Sequence, residues 1–136
     1  MHRYLAMTIS VFTLLCAFCM PAHAEPVEWK ELSVSASAYN SVPWQTTKVK
    51  PSIAAWGDEL KPGMRVIAVS RDLIKQGLTN GARVKIEGLP GVYTVRDKMN
   101  RRWRKKIDIY MGKDVAAARE FGLQKNIQIS WADPNE

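Results

Sequence analysis

The chain has 136 residues, 20 Lys and Arg against 13 Asp and Glu, and a formal charge of +7. Its two histidines (His2, His23) and two cysteines (Cys16, Cys19) all fall within the first 24 residues. Downstream of Ala24 the chain therefore excludes Ser-His and Cys-His nucleophiles, a disulfide and any zinc site with nitrogen or sulfur ligands.

In chain order, a short basic start at His2-Arg3 leads into an apolar run from about Tyr4 to Met20, then Ala22-His23-Ala24. That three-part pattern predicts a secretory signal peptide over residues 1–24, cleaved after Ala24. As an uncleaved anchor the run is at the short end, since a span needs about 20 residues. The remaining chain predicts one small domain, exported to the periplasm or cell envelope, with no membrane span after cleavage. Export turns its positive charge away from nucleic acid. The anions it then meets are wall-peptide carboxylates, wall polymers and lipid headgroups, although the charge equally serves solubility. No Gly-rich phosphate loop appears, and no residue set suggests a metal or cofactor.

Residues 25–32 read as a loosely ordered lead-in. Residues 33–39 alternate small and polar positions, which predicts a strand. Residues 40–63 carry Pro43, Pro51, Gly57, Pro62 and Gly63 and predict a long loop. Long loops in small domains are often functional, which draws attention to Tyr39, Trp44, Thr46, Thr47 and Trp56. A buried strand is predicted over 64–70, a helical turn over 72–77 and a turn at Asn80-Gly81. Strands follow over 83–87, 92–97 and 107–111. Residues 114–121 predict a helix, with Asp114 as its N-cap and Gly122 at its end. A last strand over 126–131 and a tail over 132–136 complete the chain. The sum is mainly β, about six short strands with one or two short helices, and favours a small barrel.

Glycosidic cleavage is a reaction class that runs on carboxylates alone. Asp97 and Asp108 bracket the basic segment 98–106. Asp108 lies between Ile107 and Ile109, so its carboxylate points away from the main core. A turn through 98–106 is expected to set Asp97 beside Asp108 on a paired strand, raising one pKa by like-charge repulsion. Arg96, Arg104 and Lys106 oppose that shift. The residues alone favour the plainer reading, with Asp97 as a turn cap and Asp108 as a surface residue.

The order Ser37-Ala38-Tyr39-Asn40, Gly63-Met64-Arg65-Val66-Ile67-Ala68-Val69, Gly81-Ala82-Arg83-Val84-Lys85-Ile86-Glu87-Gly88, Val95-Arg96-Asp97, Lys106-Ile107-Asp108-Ile109-Tyr110 and Ala117-Ala118-Arg119-Glu120-Phe121-Gly122 resembles the 3D domain, named for three aspartates, over residues 33–131. That family is similar to the C-terminal part of membrane-bound lytic transglycosylase A and to bacterial stationary-phase survival proteins. The resemblance implies a six-stranded double-psi β-barrel. It also implies cofactor-free cleavage of the MurNAc–GlcNAc bond in peptidoglycan glycan strands, leaving a 1,6-anhydro end. Asp108 falls on the proposed catalytic aspartate and Asp97 on an earlier motif aspartate. Around them Tyr39, Thr47, Asp72, Lys98, Arg101, Trp103 and Tyr110 are expected to contact substrate. Two departures stand out. Ser70 occupies the third aspartate's position, with Asp72 as a possible substitute. The Asp-x-Gly-Gly of the family is replaced by the bulky basic segment 98–104, which suits peptide-stem carboxylates with Trp103 on a sugar face and equally suits an ordinary solvated turn. A barrel that binds wall glycan or an envelope protein without cutting is the alternative, and a hydrolase using water is a third reading.

Overall fold

The computed structural model describes residues 24–42, 50 and 52–135. The predicted signal segment and Trp44, Thr46 and Thr47 lie outside the described residues, Ala24 excepted. Six strands close into a barrel. They are β1 (Lys30–Tyr39), β2 (Val66–Val69), β3 (Arg83–Ile86), β4 (Tyr93–Lys98), β5 (Lys106–Tyr110) and β6 (Gln124–Ala132). Two short helices, α1 (Arg71–Lys75) and α2 (Val115–Phe121), follow β2 and β5. Around the barrel the order is β1-β5-β2-β4-β3-β6. The β1–β5 and β2–β4 pairs are parallel and the other four antiparallel. This is the mainly β, six-stranded barrel expected from the strand pattern. Among the described residues no helix is long and apolar enough to cross a membrane.

Alternation along each strand builds the core. Val34 and Ala36 (β1), Ile67 and Val69 (β2), Val84 and Ile86 (β3), Val95 (β4), Ile107 and Ile109 (β5), and Ile129 and Trp131 (β6) all point inward. Most are β-branched, as a pleated, tightly packed surface favours. Gly77 lets the chain pass over Trp131. Its φ is +112°, and a Cβ there would sit 2.6 Å from Trp131 Cη2. Asp114 caps α2 by accepting the Ala117 N–H at 2.9 Å.

Three expectations are corrected or refined. The lead-in is not loose at its end: β1 begins at Lys30 and pairs with β6 through Lys30↔Trp131 and Leu32↔Ile129. Lys30 Nζ lies 3.0 Å from Asp133 and 4.7 Å from the Trp131 ring centre. Next, the predicted loop holds over residues 52–65, and it packs down as a compact cover. Ile53 bridges Glu59, and Ala54 and Leu60 pack on Val66 and Tyr110 in a second apolar cluster. That cover explains why β2 is buried along its whole length. The third correction concerns connection. β4 and β5 do not pair with each other; β2 lies between them.

Candidate functional site

The central position of β2 organises the site. Ala68 is the register partner of Asp108 on β5 and of Asp97 on β4, while Asp108 also pairs with Ser37 on β1. Ser37, Asp108, Ala68 and Asp97 therefore form one row across four neighbouring strands. Ile107 and Ile109 enter the core, so Asp108 faces the outer side, as its flanking isoleucines required. Strict alternation would place Asp97 on the core side with Val95. Between Ile67/Val95 and Ala68/Asp97 the register shifts by a bulge at Arg96. The extra residue re-aims Asp97 onto the outer face, a common use of β-bulges.

Asp97 is 5% exposed. Its Oδ1 accepts the N–H groups of Ala55 (2.8 Å) and Lys98 (2.9 Å), and Tyr39 donates its hydroxyl to Oδ2 at 3.5 Å. Asp97 thus ties the 52–65 cover to the barrel. Asp108 is half-buried and accepts a hydrogen bond from the Ser37 hydroxyl at 3.0 Å. Burial pushes its carboxyl up to about 6, against the pull of the Ser37 bond and the Lys106 charge, with Asp97 adding a smaller upward push. The sequence expectation of a repulsive dyad is corrected here. Two strand spacings separate the aspartates, about 10 Å between backbones. Desolvation, not the neighbouring carboxylate, does most of the raising.

Aromatic and basic side chains frame the row. Tyr39 and Tyr110 are register partners with ring centres 5.5 Å apart, and the Tyr110 and Ser41 hydroxyls lie 2.9 Å apart. Burial, followed by the charges of Asp97 and Asp108, drives the Tyr39 phenol well above its ordinary range, so it stays a proton donor. At the other end, Lys106 Nζ sits 3.7 Å from the centre of the Trp103 ring, which is itself 37% exposed. The result is a strip running from the tyrosines across Asp108 to Lys106 and Trp103.

Of the residues expected at the site, Tyr39, Asp97, Asp108 and Tyr110 share this face, and Trp103 reaches it through Lys106. Lys98 turns instead toward Trp56, 5.6 Å from its ring centre. Asp72 and Arg101 line a separate basic cleft. Asp72 does not take the third aspartate's place beside Asp108. Its Oδ2 accepts the Lys105 N–H at 2.9 Å. Burial works to raise its carboxyl, yet bonding by the Ser70 hydroxyl and the Lys105 N–H, with Arg104 nearby, outweighs it and holds the group below its usual range. Ser70 itself is fully buried, and its hydroxyl accepts the Lys106 N–H at 3.0 Å. Sequence reading passed over Ser37. The signal was present, because Ser37 and Tyr39 alternate on one side of β1, but its partner was invisible until β1 paired with β5.

No family model matches the sequence, nor does any curated protein. The fold is similar to that of the Streptomyces papain inhibitor (SPI), with a TM-score of 0.51, 18% identity, and coverage of 79% of this chain and 97% of that one. At that identity the likeness concerns the fold alone.

Proposed function

We propose that this chain is an exported, peptidoglycan-cleaving lytic transglycosylase of the 3D type, acting on the MurNAc–GlcNAc bond with Asp108 as its acid and base. The observation that carries the reading is the Asp108 carboxyl: half-buried on the outer face of β5, oriented by Ser37, and pushed up to about 6. A general acid works best when its pKa lies near the working pH. Protonated Asp108 gives its proton to the glycosidic oxygen as the C1–O bond breaks and the GlcNAc-side alcohol leaves. The carboxylate then takes the proton of the MurNAc 6-hydroxyl as that oxygen bonds to C1. Asp108 ends protonated, the 1,6-anhydro ring is closed, and no water is consumed. Tyr39 and Trp103 offer rings at the two ends of the strip for sugar faces. Asp97 acts as a positioning residue by holding Tyr39 and the cover. The predicted signal segment brings the chain to this substrate.

Mass spectrometry of sacculi incubated with the purified protein tests the reading. Release of anhydromuropeptides by the wild type and a loss of about 10²–10⁴-fold in Asp108→Asn, with the fold intact, is the expected result. Equal release by Asp108→Asn rejects it. Products with free reducing ends instead assign a hydrolase, for which two carboxylates two strands apart leave room for a water.

A second reading has its own support. Segment 98–104 is bulky and basic where the 3D pattern has glycines. A barrel of this fold also occurs in a protein named as a papain inhibitor. A non-catalytic envelope-binding barrel predicts salt-sensitive pelleting with sacculi, undiminished in Asp108→Asn, and no soluble product.

A further inference from the structure

Beside the strip lies a cleft of about 360 Å³ lined by Arg71, Asp72, Lys75, Arg101 and Arg104. Four cations converge there on a single carboxylate, an arrangement that repels itself in the empty state. That carboxylate, held by the Lys105 N–H, offsets one of the four charges and leaves a net positive cleft. The segment carrying Arg101 and Arg104 is pinned at both ends to the β2–α1 junction. Met99 N–H bonds Val69 O at 2.9 Å and Arg71 Nε bonds Met99 O at 3.2 Å. Lys105 and Lys106 N–H bond Asp72 and Ser70. Lys105 adopts a left-handed φ of 47° to make that return. The arginines are thus presented on a built turn, which lowers the entropic cost of holding a ligand. Arginine forks suit planar carboxylates, and several of them suit a ligand with more than one.

We infer that this cleft binds the carboxylates of an acidic peptide stem carried by the glycan, making the protein selective for stem-bearing over denuded strands. The inference rests on the lytic reading for its choice of peptide. Trp103 belongs to the same turn as Arg101 and Arg104 and packs on Lys106, the residue two before Asp108 on β5. A glycan lying on Trp103 and Asp108 hangs its stem toward the cleft. A strand stripped of its stem exposes the one lactyl carboxylate of MurNAc, against the several carboxylates of a stem, and a group of arginines favours the latter.

The test uses protein purified from cells producing the full chain. Its probes are stem peptide released from sacculi by an amidase, the same peptide with its carboxylates amidated, and inorganic phosphate. By calorimetry the free-acid stem binds, and Arg101→Gln/Arg104→Gln weakens it at least about tenfold, as loss of charge-assisted hydrogen bonds requires. Amidated stem behaves like the variant, and Asp108→Asn binds as the wild type does. Equal binding of amidated and free-acid stem overturns the inference, as does an unaffected double variant. Phosphate binding tighter than stem binding also overturns it and assigns a phosphate site. Failure here is separable from failure of the lytic reading. Stem binding without anhydro product removes the reaction and leaves the cleft. Anhydro product with no response to stem carboxylates does the reverse.

Discussion

Two aspartates on neighbouring parts of this barrel have opposite fates. Asp108 lies on the outer strip among Ser37, Lys106 and the tyrosines, and burial lifts its carboxyl to about 6. Asp72 lies at the basic cleft, where burial is outweighed by bonds from Ser70 and Lys105 and by Arg104, and its carboxyl is lowered. The same functional group keeps its proton to higher pH in one place and gives it up more readily in the other. The difference is made by how many donors reach each carboxylate and how much water does.

That contrast is open to several breaks, beginning with the largest. Asp108 is raised in the folded state, so its contribution favours folding below its unfolded pKa and is lost as pH climbs through about 6. Asp108→Asn is therefore expected to be more stable than the wild type at pH 7.5, by up to about 3 kcal/mol, and indistinguishable near pH 4. Urea unfolding at the two pH values measures it, and a variant that is destabilised at pH 7.5 contradicts the raised carboxyl.

Asp97→Ala strands the Ala55 and Lys98 N–H groups. A cost of about 1–3 kcal/mol is expected, with loss of hydrogen-exchange protection concentrated in residues 52–65. Uniform loss across the barrel would deny Asp97 its role as the tie of the cover.

Ser37→Ala removes a bond that lowers the Asp108 pKa. The alkaline limb of the pH–rate profile is expected to move upward by about half a unit, at little change in stability. A downward move counts against Ser37 as the donor.

Asp72→Asn has the smallest expected effect. Its lowered carboxyl supports folding at neutral pH and loses that support as pH falls through its folded pKa. Because the carboxylate is only partly buried and solvent screens its partners, a loss below about 1 kcal/mol at pH 7 is expected, vanishing in acid. Thermal unfolding at pH 7 and pH 3 checks it. A large effect at both would make Asp72 a core strut rather than a screened anion.

Much of the fold was legible in local patterns. Alternation located each strand to within a few residues, because one face of each had to be apolar. The Asp114 cap and Gly122 end of α2 are local chemistry and were readable as such. The outward aim of Asp108 followed from its two isoleucines. The bulge at Arg96 was not legible, since it exists only as a mismatch between β4 and β2. Nor was the cover over 52–65, whose Ala54 and Leu60 gain meaning only against Val66 and Tyr110.

The sequence by itself determined the strand and helix order, the inward and outward faces of β5, and the lack of imidazole and thiol after Ala24. These depend on side-chain period and composition, which are local properties. Tertiary structure alone decided that Ala68 separates the two aspartates, that Asp72 leaves the strip for a basic cleft, and that burial raises Asp108. Strand neighbours and desolvation are set by segments far apart in the chain, and a pKa responds to whatever the fold brings against the group.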